Sequence, residues 1–145
     1  MARNYKGEYA TAGSIFVDYR NASDFSDIFT ILYGHRMGGG RMFSDVTLFA
    51  DETYFKTHEQ GSLLTPEKNY RLEIVAFAKI RADDMIVYDV GLSKSGRAIE
   101  YLYDMAIRKR DSGTEGVFIL LSTCDVKEKN LRDVLLLRVL GVDVV

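Results

Sequence analysis

One cysteine and two histidines stand in 145 residues, so any thiol chemistry in this chain runs through Cys124. A thiol attacks only as its thiolate, and forming the thiolate needs a nearby imidazole, a cation or a helix N-terminus. Cys124 closes the run Val117-Phe118-Ile119-Leu120-Leu121-Ser122-Thr123, just before a charged segment. A free Cys is ordinarily a small buried hydrophobe. The end of an apolar strand beside a loop, however, is where a rigid scaffold presents reactive groups. His35 shares that setting in Tyr33-Gly34-His35-Arg36-Met37, whereas His58 reads as a surface or capping residue. A Cys–His pair distant in sequence and close in space is the usual thiol-enzyme arrangement, and His35 is the better acid/base candidate. Acyl transfer also needs a group that stabilises the developing oxyanion. If the strands around Val117–Thr123 and Arg132–Leu140 are antiparallel neighbours, Arg132 comes close to Cys124 across the intervening loop. Its guanidinium is permanently charged and can donate two hydrogen bonds at once. The plain alternative is a surface Arg opposite Asp125 or Asp133, and Arg138 is a second, deeper candidate.

Other patterns carry less. Gly38-Gly39-Gly40 lacks the Lys-Ser/Thr that would make a phosphate-binding loop. Asp83-Asp84 reads as solvated acid rather than a cation site, and there is no Gly-x-Ser-x-Gly motif. One Cys excludes an internal disulfide and a multi-Cys zinc site. With 19 basic and 21 acidic residues the net charge is -2, which argues against a nucleic-acid binder. An apolar fraction of 47% with 28% charged residues is ordinary globular composition. The length fits one domain with a sizeable core. No apolar run reaches membrane-spanning length and the start has no signal-peptide character, so the chain taken alone is expected to be soluble.

The elements that must position these residues follow from local pattern. Short apolar or β-branched runs at 14–18, 28–33 and 62–65 read as strands, and 70–78 as a long strand paired with the one before it. Residues 117–121 and 134–140 read as two further buried strands. Phe43, Val46 and Phe49 recur at spacing three, which suits short helical pieces capped by Ser44 or Asp51. The strongest helical pattern is 95–110, with Ile99, Leu102, Tyr103 and Ala106 on one face. Arg108-Lys109-Arg110 is expected in its last turn, where cations suit the macrodipole. Many short strands with two or three helical pieces predict a mainly β fold, a closed or nearly closed barrel with helical insertions.

Gly13-Ser14-Ile15-Phe16-Val17-Asp18-Tyr19-Arg20-Asn21, Leu32-Tyr33-Gly34-His35-Arg36-Met37, Met42-Phe43-Ser44-Asp45 and Leu121-Ser122-Thr123-Cys124, followed by an Arg leading into an apolar strand, resemble class B sortases. The resemblance runs in order from about Tyr9 to the C-terminus. It implies a sortase-type closed β-barrel, with residues 1–145 as a single catalytic domain. On this resemblance the family's membrane anchor and N-terminal helices are expected to be missing from these 145 residues, and its first strand is a further candidate absence. The helix at 95–110 falls where class B members carry an insertion.

By this resemblance the chain is a cysteine transpeptidase of Gram-positive bacteria, with His35, Cys124 and Arg132 as the catalytic triad. Ser122, Thr123, Tyr33 and Ile86 would line the substrate groove. The substrate would be a sorting signal of the Asn-Pro-x-Thr or Leu-Pro-x-Thr type, cleaved at Thr through a thioacyl-enzyme. The acceptor would be an amine of peptidoglycan or a pilin lysine. Hydrolysis of the same peptide by a cysteine protease, or peptide binding by an inactive sortase domain, are the competing readings. No metal and no cofactor are implied, and the family works at the outer face of the cell membrane. The chain departs from the family pattern at Arg36, where Asn is common after the His, and in a short segment between Cys124 and Arg132.

Overall fold

A computed structural model of the chain describes residues 2–3, 9–10, 15–18, 20–22, 24–34, 36–37, 41–42, 44–89, 96–124 and 130–144. His35 and the Gly38–Gly40 run therefore lie outside the described residues, as does the segment 125–129.

Strands are Ala2–Arg3 (β1), Tyr9–Ala10 (β2), Phe16–Val17 (β3), Phe29–Tyr33 (β4), Arg36–Met37 (β5) and Arg41–Met42 (β6). A 3-10 helix, Ser44–Ala50, leads into α1, Glu52–Thr57. Then come Gln60–Leu64 (β7), Lys68–Arg81 (β8), the short helix Met85–Tyr88 (α2) and the helix Arg97–Met105 (α3). Arg108–Lys109 (β9), Phe118–Cys124 (β10) and Leu131–Val144 (β11) complete the chain. Asp51 caps α1 as its sequence suggests, its carboxylate accepting from Tyr54 N at 2.9 Å.

The main sheet has seven strands in the order β3-β4-β10-β11-β8-β7, with β9 added beside β8. All its pairs are antiparallel except β4 with β10, which is parallel. The fold is mainly β with helical insertions, as expected. "Closed" describes it only loosely. Among the described residues the order runs from β3 to β7 without pairing between those two ends.

The long central strands β8 and β11 are apolar on both faces because both faces are covered. On one face, Phe29, Ile31, Leu120, Val134, Leu136 and Ile80 pack against Val87 of α2 and Ala98, Ile99 and Leu102 of α3. On the other, Leu32, Phe77, Ile119, Leu135 and Leu137 pack against Val46, Phe49 and Phe55 from the 3-10 helix and α1. A register shift between Leu136 and Leu137 breaks the alternation of β8. That irregularity is why the consecutive residues Val75 and Ala76 both join the first cluster.

The expectation for Arg108-Lys109-Arg110 is corrected. The helix ends at Met105, Ala106 is extended, and Arg108–Lys109 forms β9 against β8. Ile107 N donates to Phe77 O at 2.9 Å and Arg110 N to Val75 O at 2.8 Å. Backbone groups of β8 that would otherwise be unpaired thus take this segment into the sheet. Arg110 also donates to the carbonyls of Ile74, Phe55 and His58, tying α1 to the sheet. No helix among the described residues is long and apolar enough to cross a membrane.

Candidate functional site

Register places the key backbone positions. Antiparallel pairing of β10 with β11 sets Cys124 directly opposite Arg132, Thr123 opposite Asp133 and Ser122 opposite Val134. The parallel pairing of β4 with β10 sets Ser122 beside Tyr33. The strands run the same way, so Gly34 leaves β4 at the end of the sheet where Cys124 leaves β10, and Gly34 N donates to Ser122 O at 3.2 Å. Arg132 pairs on its other side with Ile80 near the end of β8.

A cleft of about 380 Å³ opens at this end of the sheet. Tyr33, Gly34, Ser122, Thr123 and Arg132 line it, joined by Phe16, Ala82 and Tyr88. Of the residues proposed from sequence, Tyr33, Ser122, Thr123 and Arg132 therefore meet at one cleft, and Cys124 stands at the register position opposite Arg132. Thr123 is only 2% exposed, and its hydroxyl finds no hydrogen-bond partner among the described residues. Ile86 lies on α2, half-buried, and is not among the lining residues. Its neighbour on the same short helix, Tyr88, takes that place. His58 caps the C-terminus of α1, stacked on Tyr54 with ring centroids 3.8 Å apart and its Nδ1 2.9 Å from Tyr54 O. Arg138 sits opposite Phe118 at the far end of β10, paired with Glu73 at 2.5 Å. Asp83 and Asp84 are both engaged: Asp83 with Arg81 at 2.9 Å, and Asp84 as the cap of α2.

One wall of the cleft is aromatic. Phe16 stacks on Tyr33 at 5.4 Å, and Tyr33 on Tyr88 at 6.3 Å. Tyr88 Oη lies 2.8 Å from Ser122 Oγ, so a hydroxyl of α2 reaches the strand that carries Cys124. Behind this wall is a buried carboxylate. Asp18, 5% exposed, accepts from Arg20 Nε and Nη2 at 3.1 Å each and from Tyr33 Oη at 2.9 Å. Burial pushes the Asp18 carboxyl up, but the hydrogen bonds from Arg20 and Tyr33 outweigh it and hold the group below its ordinary value. Burial, then the bond to Asp18, push the Tyr33 phenol well above its ordinary range, so it stays a donor. Sequence reading missed Tyr88. The available signal was Asp84 followed by an apolar turn, a helix start that presents a tyrosine one turn later.

The arrangement can do polar chemistry on an extended ligand. It offers a fixed cation, a row of hydroxyls and an aromatic surface at the position of the lone thiol-bearing residue. Among the described residues no group of His, Cys, Asp and Glu could hold a metal ion.

Comparison with known proteins gives the relatives. No protein-family model matches the chain. The chain is 34% identical over 137 residues to the Sortase B of Listeria monocytogenes, a match covering 88% of this chain and 54% of that protein. Against the crystal structure of sortase B from the Type II pilus of Streptococcus pneumoniae it is 35% identical with a TM-score of 0.77, covering 90% of this chain and 77% of the other. A Staphylococcus aureus sortase B-substrate complex shares the fold at a TM-score of 0.80 and 21% identity, covering 96% of this chain and 67% of the other. The chain spans about half the length of the Listeria relative.

Proposed function

Since the chain belongs to the class B sortases, we propose that it is a cysteine transpeptidase that cleaves a sorting-signal peptide and passes the acyl half to an amine. Cys124 attacks the Thr carbonyl of an Asn-Pro-x-Thr or Leu-Pro-x-Thr type signal as its thiolate. The carbonyl oxygen gains charge in the tetrahedral intermediate, and the Arg132 guanidinium stabilises it with fixed donors. His35, next in sequence after Gly34, protonates the departing amine as the C–N bond breaks, leaving a thioester on Cys124. An incoming amine of a peptidoglycan cross-bridge or a pilin lysine then attacks that thioester. His35 takes its proton, and the thiolate leaves. Splitting one acyl transfer into two easier steps is the gain of covalent catalysis.

The observation that supports this reading best is the Cys124–Arg132 register at the mouth of a cleft lined by Tyr33, Ser122 and Thr123. A peptide needs such a groove beside the nucleophile. The test is mass spectrometry of the protein incubated with a panel of sorting peptides, with and without triglycine, and with Cys124→Ala as control. A peptide adduct on the wild type alone, and a ligated product when triglycine is present, are expected. Equal adduct on Cys124→Ala overturns the role of the thiol. Hydrolysis without ligation at any triglycine concentration overturns transpeptidation.

A further inference from the structure

Asp18 is a buried charged group that the acyl-transfer scheme leaves unused. Burying a carboxylate is costly unless it is paired and hydrogen-bonded, and this one is engaged four times. Arg20 grips both its oxygens through Nε and Nη2, and Arg20 N adds a backbone bond at 3.0 Å. The fourth donor is Tyr33 Oη. Arg20 Nη2 also donates to the carbonyl of Tyr88 at 2.6 Å, a residue far away in sequence. One carboxylate and one guanidinium therefore touch both tyrosines of the cleft wall. Tyr33 is held by its phenol and Tyr88 by its backbone at the end of α2. Tyr88 in turn reaches Ser122 Oγ.

The opposite end of α2 is fixed as well. Asp84 caps it by accepting from Ile86 N at 3.1 Å, and Tyr101 of α3 donates to the same carboxylate at 2.5 Å. A helix of a single turn has little stability of its own. These two anchors, together with Val87 packed in the core, set its orientation, and of the two anchors only the Arg20 one leads to Asp18.

We propose that Asp18 and Arg20 form a positioning clamp, which sets the Tyr33–Tyr88 wall of the cleft and, through Tyr88, the Ser122 hydroxyl in its lining. The clamp touches no reacting atom in this scheme. It acts by holding neutral donors in one geometry, and misplacement of such groups costs rate without altering the nucleophile. This inference rests on the transpeptidase reading for its kinetic consequence, but its structural consequence can be measured without turnover.

The experiment uses the full chain with Asp18→Asn, Arg20→Lys, Tyr33→Phe and the Asp18→Asn/Tyr33→Phe pair. Acylation by a sorting peptide is measured as kcat/KM, and alkylation of Cys124 by iodoacetamide reports the thiol itself. Amide shifts of Tyr88 and Ser122 in 15N-resolved NMR report the wall. Each single variant is expected to lose about tenfold in kcat/KM, the size of one buried hydrogen bond. Alkylation should stay unchanged, and the Tyr88 and Ser122 amides should shift. The double variant should be no worse than the worse single, since both act on one path. Multiplicative losses in the double variant, or alkylation falling in parallel with acylation, overturn the clamp. So do unmoved Tyr88 and Ser122 amides in Asp18→Asn, whatever the activity. If wild type forms no acyl-enzyme, the transpeptidase reading fails, and the NMR shifts still decide whether the clamp governs the wall. Tyr33→Phe keeps the ring and its packing, so a fold lost only in Asp18→Asn leaves the decision to it.

Discussion

Cys124 and Arg132 face each other as direct partners across β10 and β11, the last pair of that ladder. A hairpin that holds seven consecutive pairs in register, theirs included, fixes their backbone separation. Substituting Arg132→Lys keeps a positive charge and removes the planar fork. Loss of a fixed oxyanion donor of this kind costs about a hundredfold or more in rate. We predict that loss in acyl-enzyme formation, with Cys124 alkylation by a small electrophile unchanged. Near-normal acylation would remove Arg132 from the mechanism.

The two histidines separate cleanly by experiment. His58 stacks on Tyr54 at the end of α1, on the side of the sheet covered by that helix. His58→Ala is expected to change acyl transfer by no more than about twofold, in line with exposed substitutions worth about 0.5 kcal/mol. His35→Ala is expected to abolish turnover. If instead His58→Ala abolished turnover and His35→Ala were silent, the acid/base assignment would reverse.

Leu120 is fully buried two positions before Ser122 and shares its cluster with Ile31, Val134 and Leu136. Leu120→Ala should cost about 2–5 kcal/mol by lost transfer energy plus a cavity. Urea unfolding would read this as a lower midpoint at constant slope. The cap variant Asp51→Ala should cost about 1 kcal/mol in the same assay.

Acid should weaken the fold partly through Asp18. Its folded pKa lies below the ordinary value of 3.8. A depressed carboxyl pKa contributes stability that is present above the unfolded value and is lost as pH falls through the folded one. Unfolding free energy of the wild type should therefore drop on going from mildly to strongly acidic pH. That part of the drop should vanish in Asp18→Asn, and an unchanged acid limb in the variant would exclude Asp18 as its source.

Much of the sheet was legible in sequence because its signals are local. The strand running into Ser122 and Thr123, the β7–β8 pair closed by a turn at Pro66 and the Asp51 cap all follow from neighbouring residues. The Cys124–Arg132 pairing was legible too, since two apolar strands joined by a short polar segment have few other ways to pair. Arg108-Lys109-Arg110 misled because cations at a helix end and cations on a sheet edge look alike locally. Only the unpaired backbone of β8 decides between them. Tyr88 and Asp18 were illegible for a related reason. Their meaning comes from Ser122 and from Arg20 reaching Tyr88, contacts that span large separations.

The parallel pairing of β4 with β10 has a consequence for how the molecule assembles. Antiparallel neighbours such as β7 and β8 can zip from a turn, but a parallel pair must be brought together across everything between them. Here that includes α1, β7, β8, α2, α3 and β9. Contacts of such long sequence separation carry a loop-closure cost before any reward, and they slow folding. A chain emerging from its N-terminus also presents Tyr33 and Gly34 long before β10 and β11 exist. The backbone register that sets Cys124 opposite Arg132 thus forms only when the last strand docks, so a chain stalled before β11 lacks that pairing.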